Sequence, residues 1–175
     1  MSIRRCGLPR DAFLQRYARN DGYADCFRVD VPETIGLSRY VEAFYTTWLF
    51  GAERAILSLA GYPSTDADAA LVAEGEASRF VAWHVEARAE DQLLMCDVTG
   101  RTRSWFKVAP FRDGSTTGTT LYFGSGVTTV ETGEAGRKSM GLAFKVMTPV
   151  HILYSRALLS ATKRKIARSS QQVMA

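Results

Sequence analysis

From Arg79 onward the spacing of apolar residues changes. Upstream they fall three and four positions apart, and from Arg79 to Val130 they recur at every second position. A period of two belongs to strands, because successive side chains point to opposite faces of a sheet. "RFVAWHVEAR", "QLLMCDV", "RTRSWFKVAPF" and "TTLYFGSGVTTV" read as four strands in series, parted by "AED", "TG" and "RDGSTTG". Breaks of that kind suit a meander of antiparallel hairpins. Such a sheet needs one face covered, which constrains what the rest of the chain must supply.

The remaining segments supply it. "DCFRVDV", Asp25 to Val31, alternates polar with apolar residues and is closed by Pro32, so it reads as a first strand. A helical pattern starts at Ser38, a fair N-cap, and carries Tyr40, Val41, Phe44, Tyr45, Trp48 and Leu49 on one side. Gly51 is the expected break, after which "AERAILSLA" resumes until Gly61 and Pro63. "STDADAALVAEGE" predicts one more short helix with an Asp or Thr cap. At the end, "MTPVHILYSRALLSATKRKIARSS" predicts a long helix with Thr148 as N-cap and Pro149 at its first position. Val150, Leu153, Ala157 and Ala161 form its apolar stripe, widened by Tyr154 and Leu158, and Lys163, Arg164, Lys165 and Arg168 fall in its last turns. The order implies an α+β fold, a curved antiparallel sheet wrapped around the C-terminal helix with short helices after the first strand. Residues 1–24 form an N-terminal segment, 25–168 a single domain and 169–175 a tail.

This order of elements resembles the START-like superfamily, the helix-grip fold of lipid-transfer domains and polyketide cyclases. The ending "FKVMTPVHILYSRALL" is similar to the closing helix of some uncharacterised bacterial members, and the meander with "WHV", "LLM" and "WFKVAPF" fits too. The superfamily has more strands than can be counted here, so one more is expected within residues 134–147. The resemblance implies a hydrophobic cavity between sheet and helix.

Composition narrows the partners. With 175 residues, 46% of them hydrophobic, the chain can bury a core without staples. The net charge of +4 comes largely from arginines at the start and the basic cluster near the end, without base-stacking aromatics, so nucleic acid is not expected. Cys6, Cys26 and Cys96 are odd in number and form no CxxC, which suits reduced thiols in a cytoplasmic protein. No run is long and apolar enough to be an integral membrane segment. Two separated histidines give no metal-ligand spacing, and no cofactor motif is present. "ETGEAGRKS", Glu131 to Ser139, lacks the glycine and lysine placement of a phosphate-binding loop.

"FVAWHVEARAEDQLLMCDV" places His84, Cys96 and Asp97 within one hairpin. A loop of two or four residues sets His84 opposite Asp97, whereas a loop of three sets it opposite Cys96. In either register the three side chains do not converge, so no catalytic triad forms here. Composition favours the first register, which gathers Trp83, Val85 and Ala87 with Leu94 and Cys96 on an apolar inner face, and leaves His84 and Asp97 as an outer cross-strand pair. On the third strand, burying Arg103 and Lys107 together would be expensive, so Thr102, Ser104, Phe106 and Val108 are expected inside. Arg103 alone could still reach a ligand's anionic group. Leu121, Phe123, Ser125 and Val127 complete the concave face. "GSG" at 124–126 reads as a bulge or a close backbone contact.

The expected function is binding of a hydrophobic small molecule, lipid-like or aromatic. Trp83, Val85, Leu94, Cys96, Arg103, Phe106, Leu121, Phe123, Leu153 and Tyr154 would line its cavity, although the same residues could make an ordinary filled core. The alternatives are a cyclase- or hydrolase-type enzyme using His151 at the cavity mouth, or an adaptor with a filled core. A homodimer is left open.

Overall fold

The computed structural model describes residues 2–18, 23–128, 130–131, 138–139 and 142–173. Its elements are β1 (Arg4–Arg5), α1 (Gln15–Ala18), β2 (Tyr23–Val31), α2 (Leu37–Tyr45), α3 (Trp48–Leu59) and α4 (Asp66–Glu74). These are followed by β3 (Arg79–Phe80), β4 (Trp83–Arg88), β5 (Gln92–Asp97), β6 (Thr102–Asp113), β7 (Thr116–Val127), β8 (Val130–Glu131), β9 (Lys138–Ser139) and α5 (Leu142–Val173). The fold is α+β. One seven-stranded antiparallel sheet runs in the order β1-β2-β7-β6-β5-β4-β3, and β8 pairs with β9 separately.

The first strand and the strands of the meander form, and β1 adds a short edge to them. Val81, at φ 54, breaks the predicted "RFVAWHVEAR" strand into β3 and β4. Of the segment 134–147, where a further strand is expected, Lys138–Ser139 forms β9 and residues from Leu142 on are helical, while 134–137 and 140–141 lie outside the described residues. The loop-like stretch 131–139 likewise falls largely outside them.

Helix boundaries differ from expectation for local reasons. The break between α2 and α3 is at Thr46 and Thr47 and not at Gly51, because the Thr47 hydroxyl caps α3 by accepting from Phe50 N at 3.2 Å. α2 starts one residue before Ser38, with Gly36 as its N-cap. α4 carries the expected threonine cap, with Thr65 and Asp68 bonding reciprocally, and ends at Gly75 in the left-handed region, φ 89. α5 begins at Leu142, so Thr148 and Pro149 lie inside it and not at its start.

Helices cover one face of this sheet. The inner face of the sheet carries Phe27, Val29, Leu93, Met95, Phe106, Leu121 and Phe123, and α2, α4 and α5 close over it. Phe44 is the hub of the aromatic core, 4.8 Å from the Phe106 ring and 4.7 Å from Phe123. The buried stripe of α5 is Ser155, Leu158, Leu159, Thr162 and Ile166. It is rotated from the predicted one, so Leu153 points outward at 70% exposure, and the side chain of Val150 lies outside the described set. The basic cluster is followed by further helix to Val173, and Lys165 uses its Nζ to hold Thr46 O and Oγ1, each at 2.7 Å, at the end of α2.

The outer face is covered as well. Ala12, Leu14, Cys26, Leu94 and Trp105 form a second buried cluster, with Phe13 and Tyr17 packed on it. Leu14 sits over Gly124 and Gly126, where an added Cβ would approach its side chain to 3.0 and 2.8 Å. The pairing of β7 runs through both glycines without a shift on either side, so "GSG" is a seat for Leu14 and not a bulge.

Candidate functional site

A cavity of about 170 Å³ opens between the inner face and the helices. Phe44 and Tyr45 of α2, Phe50 and Glu53 of α3, Trp83 of β4, Phe123 of β7 and Tyr154 and Leu158 of α5 give it mainly aromatic walls. Thr102, Ser104, Ser125, His151 and Ser155 place polar atoms among them. Larger clefts exist, including one of about 330 Å³ beside Trp48, Arg164 and Arg168 and one of about 420 Å³ between residues 34–37 and the β6–β7 edge. The interior cavity stands apart from those by its polar atoms.

Tyr45 Oη, Trp83 Nε1, His151 Nε2 and Ser155 Oγ are buried and have no hydrogen-bond partner among the described residues, and all four side chains line this one cavity. Leaving a buried polar group unpaired costs about 1–3 kcal/mol. Four at one place make a site that favours an occupant with complementary polar atoms. Burial also raises the Tyr45 hydroxyl far above the usual phenol range, so it stays protonated and can donate.

Two ionisable pairs flank those atoms. Asp25 is buried at the inner end of β2, where Oδ1 accepts from Ser125 N at 3.1 Å and Oδ2 accepts from the Tyr23 hydroxyl at 2.9 Å. His151 Nε2 lies 3.8 Å from that same Oδ2, close enough for charge attraction and too long for a hydrogen bond. The Tyr23 phenol is pushed up to about 12 by burial and by the Asp25 charge. Across the cavity, Tyr154 donates its hydroxyl to Glu53 Oε2. Burial raises the Glu53 carboxyl above its ordinary range, and the bond from Tyr154 only partly offsets that. The arrangement offers neutral donors, an imidazole facing a carboxylate, and a carboxyl held toward its protonated form.

The sequence-predicted residues divide between the two faces. Trp83, Phe123, His151 and Tyr154 line the cavity, and Val85, Phe106 and Leu121 belong to the inner core behind it. Leu94, Cys96 and Arg103 do not face it. Ala89 pairs with Gln92 at the hairpin turn, as a two-residue loop requires, and Ala87 pairs with Leu94. A β-bulge between Val85 and Ala87 then shifts the register, so Val85 faces Met95, His84 faces Cys96 and Trp83 faces Asp97. The extra residue, Glu86, lets Trp83 and Val85 stay inside while Ala87, Leu94 and Cys96 lie outside. The expected His84–Asp97 pair is therefore not made. Asp97 caps its own turn instead, accepting from Thr99 Oγ1, Arg101 N and Thr102 N at 2.7, 2.8 and 3.1 Å.

Arg103 stacks 4.2 Å over the Tyr17 ring on the outer face and donates Nε to Glu86 Oε2 at 3.1 Å. Leu153 points away from the cavity, because Ser155 and Leu158 take the buried side of α5. Sequence reasoning missed Tyr45, Glu53, Ser155 and Asp25 as site residues. Asp25 was readable, since it falls in phase with Phe27, Val29 and Val31, and so was Glu53, a carboxylate inside the apolar helix "WLFGAERAILSL".

Among the described residues no group of three or more His, Cys, Asp or Glu side chains is placed to hold a metal ion, and no helix is long and apolar enough to cross a membrane. No protein-family model, curated protein or solved structure matches the chain.

Proposed function

We propose that this chain binds a hydrophobic small molecule, lipid-like or aromatic, in the cavity between its sheet and C-terminal helix, as a helix-grip protein of START-like type. The convergence of four unpaired buried polar atoms on one aromatic cavity carries this reading. Apolar walls with a few fixed polar groups are the general pattern of small-molecule sites. Trp83 Nε1 can only donate, so the ligand must bring an acceptor, and the neutral donors Tyr45 and Ser155 suit a carbonyl or hydroxyl oxygen. A volume of about 170 Å³ favours a compact aromatic body over a long acyl chain. Three free thiols fit a cytoplasmic setting.

A second reading, catalysis of cyclase or hydrolase type, draws on the 3.8 Å approach of His151 Nε2 to Asp25. An imidazole facing a buried carboxylate beside bound substrate is equipped for proton transfer.

Native mass spectrometry of freshly purified protein, compared with the same sample denatured, tests the binding. The expected result is extra mass that leaves on denaturation, with retention lowered roughly tenfold in Ser155→Ala by loss of one hydrogen bond. A bare polypeptide, together with no thermal shift across a panel of small aromatic ketones and phenols, would sink the reading. If the extracted compound changes on incubation with wild type and not with His151→Asn, the enzyme reading replaces simple carriage.

A further inference from the structure

The outer face holds a feature that the cavity does not use. β1 pairs with β2 with Arg4 opposite Arg28 and Arg5 opposite Phe27. Carried one residue on, that register sets Cys6 opposite Cys26, and Cys6 N donates to Cys26 O at 2.9 Å. The two sulfurs lie 3.3 Å apart in a thiol–thiol hydrogen bond, and both cysteines are free. Directly opposed residues of antiparallel strands have Cα atoms about 4.5–5.5 Å apart, within the span of roughly 4.4–6.8 Å that a disulfide bridges. Closing the sulfurs to the covalent length of about 2.05 Å needs side-chain rotation, not movement of the strands.

The two thiols are unequal. Cys26 is fully buried, at 1% exposure. Both line a surface cleft with Arg5, Leu8 and Gln15, but Cys6 is only half-buried, so a small reagent entering the cleft reaches Cys6 first. The contact with Cys26 lowers the Cys6 thiol below its ordinary range, against the effect of burial and with help from the Arg28 charge, while the same contact and burial push Cys26 up. An accessible sulfur poised toward thiolate beside a buried, protonated one divides the labour of attack and resolution.

We propose that Cys6 and Cys26 are a reversible oxidation site for peroxides, with Cys6 attacking and Cys26 resolving to form a disulfide between the N-terminal segment and β2. In the first step the Cys6 thiolate displaces hydroxide from hydrogen peroxide: an S–O bond forms, the O–O bond breaks, and Cys6 becomes a sulfenic acid. In the second, the Cys26 sulfur attacks the Cys6 sulfur: an S–S bond forms, the S–O bond breaks, and the hydroxyl leaves as water with the Cys26 proton. The peroxide is reduced by two electrons and the thiol pair is oxidised by two. A dithiol reductant restores the pair by thiol–disulfide exchange. The product ties the chain that covers the outer face to the sheet beneath it.

The test uses the full chain, reduced, freed of reductant and exposed to a small molar excess of hydrogen peroxide. Intact mass should fall by two hydrogens, non-reducing peptide mapping should show the peptides of Cys6 and Cys26 linked, and Cys96 should remain alkylatable. Linkage should run on the order of tenfold or more faster in the folded chain than in denaturant, because the fold presents the pair. In Cys26→Ser, or Cys26→Ala should the serine disturb folding, Cys6 should instead accumulate sulfenic acid that dimedone captures. The proposal is overturned if Cys96 oxidises first, if Cys6 advances to sulfinic acid without linkage in wild type, or if folded and denatured chains link at the same rate.

Discussion

The two faces of the central sheet bury unequal cores, the larger one on the inner face, and treat polar atoms in opposite ways. Among the described residues, no buried side-chain nitrogen or oxygen on the outer face lacks a hydrogen-bond partner. Gln92 Oε1 accepts from Trp105 Nε1 and from Phe13 N, both at 3.0 Å, and its Nε2 donates to Asp11 O at 3.2 Å. Lys107 donates to Asp11 Oδ2 at 2.9 Å and also to Asp91, and Arg103, Glu86 and Tyr17 bond one another. On the inner face Tyr45, Trp83, His151 and Ser155 present polar atoms without hydrogen-bond partners among the described residues. A fully satisfied network fixes one arrangement, whereas an unsatisfied one is a stability cost that a binding site justifies. The same strands therefore carry one face whose buried polar atoms are paired and one face where four are not, and the second is where the proposed ligand would sit.

The comparison breaks most visibly at Gln92. Gln92→Leu keeps the bulk but strands the Trp105 and Phe13 donors and the Asp11 carbonyl. It should destabilise the fold by about 2–4 kcal/mol in a urea melt, with faster amide exchange at residues 11–17 and little change in ligand retention. A loss confined to ligand retention would mean that the outer network is not structural. The opposite sign is expected inside. Tyr45→Phe removes a hydroxyl that has no described partner, so the same melt should show no loss, or a gain of up to about 1 kcal/mol, while ligand retention falls. Destabilisation by more than that would show that Tyr45 Oη serves the fold and that the two faces do not differ as argued.

Which face a residue joins was only partly legible in the chain. Alternation placed Phe106, Leu121 and Phe123 inside because period-two patterning leaves little choice once one face is apolar. It misplaced Leu94 and Cys96 because the bulge at Glu86 has no local mark: Val85, Glu86 and Ala87 include neither glycine nor proline. A second reason is that only one face was expected to be covered. The run Leu93, Leu94, Met95 and Cys96 is buried on both sides, and such an unbroken apolar run is the pattern of a doubly covered strand. Its cover, residues 6–17, lacks periodicity and gives no amphipathic signal, yet Gly124 and Gly126 marked the place where Leu14 approaches. In the site, His151 was legible from its chemistry and Trp83 and Tyr154 from their phase. Tyr45 read as one more core aromatic and Ser155 carried no signal of its own, because nothing local distinguishes an unpaired hydroxyl from a paired one.

The smallest effect sharpens the comparison furthest, since Glu53 on the inner face and Glu86 on the outer are carboxyls shifted in opposite directions. Glu53, inside, is raised by burial, which the Tyr154 hydroxyl offsets only in part. Glu86, outside, is also pushed up by burial, but the bonds from Tyr17 and Arg103 and the charges of Arg103 and Arg16 outweigh it and hold it low. With its folded value raised, Glu53 binds more proton in the folded chain than in the unfolded one. Its contribution is fully present below the unfolded value, near 4.5, and is lost as pH rises through the folded value. Glu86 is the reverse: its contribution is present above the unfolded value, also near 4.5, and is lost as pH falls through the folded one. Stability measured by denaturant titration from about pH 3 to about pH 8 should therefore give two differences of opposite slope. Wild type minus Glu53→Gln should decline as pH rises, and wild type minus Glu86→Gln should decline as pH falls. A flat Glu53→Gln difference would mean that Glu53 is solvated like a surface carboxylate, and a slope of the Glu86 sign that its hydrogen bond outweighs burial; in either case the cavity would lack the dry, low-dielectric wall that makes its unpaired donors worth a ligand.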